Sequence, residues 1–517
     1  MAEDTPCDDL KTRMQEITCA EKARMQDEGI LSDEIAPELM QAALEANEIG
    51  DAILLQKLFG GHLIWDNSIE KWHLFNGQHW ELDNQNQYLW LTEKCTRLYL
   101  DEAEKHKALK IEAESQSDKD TSNYHASMEK AYRKRCKEIR ALGRTKRVWE
   151  YARSGVNGLS INAEKWDRYP MLLCCANGVI DLESGLLLQG RPEDYIRNAS
   201  PIPYKGLDEP HPTWDEFLLN IIEDPDEIVF LQRFLGYCCT AVTKEDKIMF
   251  FQGRGRNGKT TLLEILKYVL GPLVGPIETE MLLEQRFARN ADAPSPSLLN
   301  LQGKRLVWGS ETSEGRRLNL DALKRLSSSE TIKARAPHCK DPVEFRTTHK
   351  IILSTNHLPK APAQADDYAV WKRIIVFPFR YSFVEDPHED YEKKADKDLY
   401  SKLTQEASGI LAWIVKGCTE WQQVGLQPPE TIREITREYE KAGDLIGDFI
   451  EDCCEVIEPF SEKASALYES YRAWCERTGH KSASLSKFGE KMANRFRKEK
   501  QGCIYYRGIR LKDEWKE

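Results

Sequence analysis

The sequence lacks any run of the roughly 18 apolar residues that a bilayer-spanning helix needs, so no membrane partner is expected. Its first twenty residues, MAEDTPCDDLKTRMQEITCA, are acidic and contain no apolar core segment. No secretory signal is visible there, and a cytoplasmic location is the expectation. Paired CxxC spacings are also missing. The 14 cysteines instead include three adjacent pairs, Cys174–Cys175, Cys238–Cys239 and Cys453–Cys454. Such pairs make a poor zinc or disulfide frame, so reduced and mostly buried thiols are expected. Positive charge is not in excess. A net charge of −12 excludes a chain that coats nucleic acid over its whole surface, but allows a local basic channel. Residues 1–240 show no D-x-D-like pair at a strand end. Two-metal nucleotidyl transfer requires clustered carboxylates, so primer synthesis by this chain is not expected. There is no internal repeat and no long low-complexity segment.

At 517 residues the chain exceeds one ordinary core, and its pattern divides it into five stretches. Residues 1–205 form an N-terminal accessory or oligomerisation region that begins with acidic helices. Within it, "HLIWDNSIEKWHLFNGQHWELD" places an Asn76–Gly77 turn between Trp72/Phe75 and Trp80, the signature of a small hairpin or sheet. A charged helical stretch from Leu91 to Arg153 carries the basic block "YRKRCKEIRALGRTKRVWEYAR". That block reads as a solvated face, or as a surface for nucleic acid or a neighbouring subunit. "CCANGVIDLESGLLL" reads as two short strands around a turn. Prolines in "EPHPTWDEFLLNII" mark a boundary, and residues 206–243 form a helical lead-in. Residues 244–385 alternate apolar strands with helices, the α/β pattern. Residues 386–450 are helical, and 451–517 form a last small domain.

The strongest local signal is Gly253-Arg254-Gly255-Arg256-Asn257-Gly258-Lys259-Thr260, which fits G-x-x-x-x-G-K-[ST]. Its context is also right: the apolar strand "KIMFF" precedes it, and Leu262, Leu263, Ile265, Leu266 and Val269 give helical periodicity after it. Glycines let backbone N–H groups converge on phosphates where a side chain would clash. Lys259 is placed to reach the β- and γ-phosphates, Thr260 to ligate Mg²⁺, and Asn257 and Thr261 complete the candidate ATP contacts. The helix N-terminus adds its dipole.

Hydrolysis needs further groups. "KRLVWGSETSEG" delivers Glu311 and Glu314 just past an apolar strand, as acids for metal and water. "HKIILSTNHLP" puts Asn356 past the end of another strand, where an amide can orient the attacking water. "DDYAVWKRIIVFPF" places Arg373 directly before a further strand, where a guanidinium can serve a neighbouring subunit's nucleotide.

Taken together, "GRGRNGKTT", "SETSEG", "DPVEFRTTHKIILSTN" and "DYAVWKRIIVFPF" resemble the superfamily 3 helicases of the AAA+ class, in the phage and plasmid primase-helicase branch with a poxvirus-type C-terminal module. The resemblance is strong from Lys244 to about Phe379 and weaker on either side. It implies a multidomain α/β fold: an AAA+ P-loop ATPase core, a mainly helical N-terminal region with a small β element, and a C-terminal winged-helix-like domain. It also implies that Lys259 and Thr260 hold phosphate and metal, Glu311 is the metal-site and catalytic acid, Asn356 the sensor and Arg373 the finger in trans. Many members carry two adjacent acids, whereas Glu311 and Glu314 are separated; Glu311 is favoured as the group that polarises water.

"TIKARA" and "VEFRT" alternate like strands around Pro337-His338-Cys339-Lys340-Asp341-Pro342. By the same resemblance this hairpin tracks single-stranded DNA in a central channel, with Lys333, Arg335, His338 and Lys340 as contacts. In "SLSKFGEKMANRFRKEK", Lys487, Lys491 and Arg495 recur every four residues beside Phe488, Met492 and Phe496. The strand-turn-strand "GCIYYRGIRLKDEW" follows, so helix and wing suggest a second DNA contact. The expectation is an ATP- and Mg²⁺-dependent DNA helicase of phage, plasmid or mobile-element replication. It would act on single-stranded and forked DNA as a homo-oligomeric ring, a hexamer by family, beside a separate primase or polymerase. The alternative is a replication initiator or defence ATPase that assembles on DNA without processive unwinding.

Overall fold

The computed structural model describes residues 35–284, 295–310, 316–335, 342–359, 368–442, 445–479 and 482–515. Contacts divide the chain into two units: Met1–Arg168 with Gly190–Arg197, and Tyr169–Gln189 with Asn198–Glu517. Among the described residues, no helix is long and apolar enough to cross a membrane. The described cysteines are free thiols, buried apart from Cys503.

In the first unit, helices α1 (Pro37–Glu45) and α2 (Asn47–Phe59) precede strands β1 (Leu63–Asp66), β2 (Lys71–Phe75) and β3 (Trp80–Leu82). Helices α3 (Tyr88–Ser115), α4 (Lys119–Ile139) and α5 (Leu142–Arg153) follow, then β4 (Ser160–Ile161). The sheet order is β3-β2-β1-β4. The Asn76–Gly77 turn forms as the sequence suggests: Gly77 has φ +96, and the Asn76 amide donates to the His79 carbonyl at 3.0 Å. Trp72 and Trp80 are buried, which gives the aromatic patch a packing role. Arg140 to Glu93 and Arg133 to Glu104 bridge α3 and α4 as antiparallel partners. Asp51, wholly buried, is neutralised by Arg135 and Arg144, each at 2.8 Å.

The second unit opens with the antiparallel strands β5 (Leu172–Cys175), β6 (Gly178–Asp181) and β7 (Leu186–Leu188). They group with this unit because Leu173, Cys175, Ile180 and Leu182 enter the core shared with helices α6 (Pro212–Ile221) and α7 (Pro225–Cys239). Asp224 caps α7 by accepting from the Asp226 and Glu227 amides. Next come β8 (Ile248–Gln252), α8 (Lys259–Leu270), β9 (Val274–Pro276), β10 (Leu306–Ser310), α9 (Leu320–Ser327), β11 (Thr331–Ala334), β12 (Val343–Arg346), β13 (Lys350–Thr355) and β14 (Ile374–Pro378).

Five of these strands make one parallel sheet in the order β14-β8-β13-β10-β9. Alternation explains why they are apolar throughout: both faces are covered. Met249, Phe251, Ile352, Ile375 and Phe377 join the core on one face. Ile248, Phe250, Ile351, Leu353, Ile374 and Val376 join the core on the other. Beyond β14 lie the short parallel pair β15 (Ser382–Val384) and β16 (Glu392–Lys394), then helices α10 (Ala407–Val424) and α11 (Glu430–Ala442).

A separate small core holds the C-terminal residues. Its elements run α12 (Leu445–Cys453), β17 (Cys454–Glu455), β18 (Ser461–Lys463), α13 (Ala464–Arg477), α14 (Leu485–Arg495), β19 (Lys498–Gln501), β20 (Cys503–Arg507) and β21 (Arg510–Leu511). Strand β20 lies between β18 and β19 in an antiparallel sheet.

Candidate nucleotide site

The glycine-rich loop leaves the C-terminal end of β8 and enters α8 at Lys259. Two of its glycines are required sterically. A Cβ on Gly253 would lie 2.3 Å from the Phe379 carbonyl oxygen, and one on Gly258 would lie 2.6 Å from Ile221 Cγ2. Gly258 also has φ +86, a left-handed conformation that favours glycine. Arg254, Gly255, Arg256 and Thr260 are exposed, while Asn257 and Lys259 are buried.

The Lys259 ammonium donates to the Gly253 carbonyl (2.5 Å), the Thr355 carbonyl (3.1 Å) and Asn356 Oδ1 (3.2 Å). Burial lowers its pKa to about 8. The sheet order produces this meeting. Strand β13 is hydrogen-bonded to β8 in register Thr355↔Gln252, so Asn356 leaves the sheet beside the loop. Strand β10, which leads to Glu311, is the next strand out. Glu311 and Glu314 lie outside the described residues. Asn257 Nδ2 is buried with no protein partner, an amide donor that fits an anionic oxygen. Loop, lysine and orphan amide therefore fit a triphosphate. Thr260 and Thr261 occupy the first turn of α8, where a hydroxyl suits a metal bound to phosphate.

Arg373 lies at the other end of the sheet. It precedes β14, whose register with β8 runs from Ile374↔Ile248 to Pro378↔Gln252. Five residues of strand separate it from its own loop by about 16 Å. Its guanidinium meets Asp246 at 3.3 Å.

The expected hairpin exists as β11 paired antiparallel with β12. Lys333 is exposed but forms an ion pair with Glu344 across the hairpin at 2.6 Å. Arg335 directly follows β11, and His338 and Lys340 lie outside the described residues. Sequence reasoning missed Arg346, which is exposed opposite Thr331. The alternation in "VEFR", with Phe345 buried, was the signal that could have found it.

The stripe Lys487, Lys491, Arg495 is divided. Lys487 and Arg495 are exposed, whereas Lys491 is buried beside Phe488 and Met492. Lys487 lies in the first turn of α14 and Arg495 is its last residue, whereas Lys491 sits mid-helix, where Phe488 and Met492 pack into the small core. Basic residues reappear past α14. Arg497, Lys498, Lys500 and Arg507 are exposed around β19 and β20, with Glu499 held by Arg507 at 2.8 Å.

Three families match the chain in succession. The D5 N-terminal-like family matches residues 52–223, a family of unknown function (DUF5906) matches 251–373, and the poxvirus D5 protein-like family matches 441–513. A protein of Acanthamoeba polyphaga mimivirus named "putative helicase" is 30% identical over 325 residues, covering 60% of this chain and 33% of the viral protein. A protein of African swine fever virus named "putative primase" is 23% identical over 342 residues, covering 62% of this chain and 35% of that protein. The chain thus spans about a third of the length of these curated relatives. Among solved structures, the apo C-terminal region of NrS-1 matches distantly, with a TM-score of 0.46 and 14% identity over 83% of this chain and 78% of that one. Residues 52–223 and 441–513, which flank the sheet-forming segment in sequence, are thus similar to D5-type segments, and these relatives are viral proteins named putative helicase or putative primase.

Proposed function

We propose that the chain is an ATP-hydrolysing DNA helicase motor of the superfamily 3, AAA+ type, acting in DNA replication. The observation that carries this reading is the Lys259 ammonium bonded at once to its own loop and to Asn356. An amide sensor one strand from the cradle, with an acid strand beyond it, is the arrangement that in-line attack on a γ-phosphate requires. Lys259 holds the phosphates, Thr260 and Glu311 hold Mg²⁺, and Glu311 or Glu314 polarises water. The position of Arg373, an entire strand from its own loop, supports a role toward a neighbouring copy and hence a ring. The helix-strand-strand-helix-helix-strand-strand-strand order of residues 445–511 supports a winged-helix reading, with Lys487, Arg495 and the basic strands as its DNA surface.

The test is strand displacement on forked DNA with ATP, comparing wild type with Lys259→Ala and Arg373→Ala. Unwinding lost in both variants supports a motor with shared sites. Hydrolysis with no displacement on either fork polarity overturns it. The Lys333–Glu344 pair favours a second reading, an assembly ATPase, because it removes net positive charge from the described part of the hairpin. Under that reading Lys333→Ala leaves DNA-dependent behaviour unchanged.

A further inference from the structure

One buried carboxylate beside the cradle has no role in the reading above. Glu227, in the first turn of α7, is wholly buried, and a carboxylate removed from water needs a compensating partner. It accepts both arms of the Arg380 guanidinium, each at 2.7 Å, and the Thr431 hydroxyl of α11 at 3.0 Å.

Arg380 lies in the segment that runs along the phosphate loop. The Phe379 amide donates to the Gln252 carbonyl at 2.7 Å, and the Phe383 amide donates to the Arg256 carbonyl at 2.7 Å. The Ser382 hydroxyl donates to the Gly255 carbonyl at 3.1 Å. Residues 379–383 therefore form a strap that engages the carbonyl ending β8 and two successive loop carbonyls, Gly255 and Arg256, ahead of the helix. In a trans peptide the N–H of the next residue points opposite to the carbonyl. With the Gly255 and Arg256 carbonyls drawn to the strap, the Arg256 and Asn257 N–H groups are turned to the other side. A peptide flip at either position would present a carbonyl dipole to an anion instead of a donor.

We propose that Glu227 is a positioning residue of the nucleotide site: by fixing Arg380 it fixes the strap, and the strap sets the peptide orientation of the phosphate loop. The proposal rests on the cradle reading and deepens it, naming the triphosphate group, not the nucleoside, as the part of the ligand that senses the Glu227–Arg380 pair.

The experiment is calorimetric titration of the full chain with ATP and with inorganic tripolyphosphate, alongside steady-state hydrolysis and Tm. Arg380→Lys keeps a cation against Glu227 but loses the two-pronged fork. Its Tm is expected close to wild type, while Kd for ATP and tripolyphosphate rises by the same factor, about tenfold. KM rises while kcat changes little. Ser382→Ala removes one exposed hydrogen bond and weakens both ligands by about threefold. If Arg380→Lys does not fold, Ser382→Ala and Thr431→Val carry the test. Tripolyphosphate binding as tight as wild type in the folded variants overturns the strap alone and leaves the cradle standing. A loss confined to ATP, or one that only tracks Tm, also overturns it. A wild-type chain that binds neither ligand overturns the cradle reading, and the strap's role with it.

Discussion

Two lysines are buried at opposite ends of one sheet, and strand β13 touches both. Its last residue, Thr355, accepts from Lys259; its first is Lys350. Lys350 is also buried, donates to the Thr240 and Thr348 carbonyls and lies 4.7 Å from the centroid of the Tyr237 ring. Burial pushes its pKa down to about 7, with Arg305 adding to the fall and Cys238 opposing it. By burial and pKa alone the two are alike. Their surroundings differ. Lys259 has the exposed residues Gly255, Arg256 and Thr260 and the unpartnered Asn257 amide beside it, whereas Lys350 is enclosed by Tyr237, Cys238 and backbone. A depressed lysine marks a ligand site only when open surface and spare donors accompany it.

The largest effect expected from breaking this comparison is on hydrolysis. Lys259→Ala is expected to lower ATP turnover by at least about a hundredfold, because it removes the charge that meets the phosphates. Tm is expected to fall only slightly, since the Gly253 carbonyl and Asn356 Oδ1 that lose a donor are part-buried beside the exposed loop and can turn to water. Lys350→Met is expected to do the reverse. Turnover per folded molecule stays within about twofold, while Tm falls by several degrees as two buried carbonyls lose a donor. A Lys350→Met protein that is stable but inactive would show that the closed end of the sheet is not merely structural.

A pH series sharpens the same contrast. On the proposed reading Lys259 meets phosphate as the ammonium, so ATP affinity is expected to hold below pH 8. It then falls by up to about tenfold per unit as the proton leaves, and Kd measured from pH 6.5 to 9.5 checks this. Lys350 bears on stability with the opposite sign. Its folded pKa of about 7 lies below the ordinary value of 10.5, so the unfolded chain holds more protons across that window. Its burial cost is full below pH 7 and is relieved as pH rises. The Tm loss of Lys350→Met is therefore expected to be larger at pH 9 than at pH 6. Equal losses at both values would mean that Lys350 keeps its proton when folded.

The strand-loop-helix geometry was legible in the sequence because an eight-residue glycine-lysine-hydroxyl run joins an apolar strand to a helical periodicity, and the place of Asn356 because it closes an apolar run. Period-two alternation gave the strands their identity, but nothing local told that β13 would lie between β8 and β10, which is what brings Asn356 to Lys259. Glu227 and Arg380 stand 153 residues apart and were invisible for the same reason: each looks like an ordinary charge until the fold closes. Lys491 misled because it sits mid-helix beside Phe488 and Met492, whereas Lys487 and Arg495 lie near the helix ends. The Arg373 assignment rested on its place before a strand, and the register of β14 shows why that place faces away from its own loop.

The smallest expected effect separates two glycines of the loop, Gly258 at a fixed position of the pattern and Gly255 at a free one. Gly258 carries a left-handed φ and no room beside it, so Gly258→Ala is expected to lower both Tm and turnover. A Cβ on Gly255 meets no protein atom within 4 Å, and its φ is not among the positive values. Gly255→Ala is therefore expected to leave Tm within about a degree of wild type. Any rise in the KM for ATP then measures contact between the new methyl group and the ligand, because nothing in the protein opposes it. A few-fold rise with Tm unchanged would put a phosphate beside Gly255, on the side of the loop turned away from the strap. A fall in Tm would mean instead that the loop is held more tightly than its exposed surface suggests.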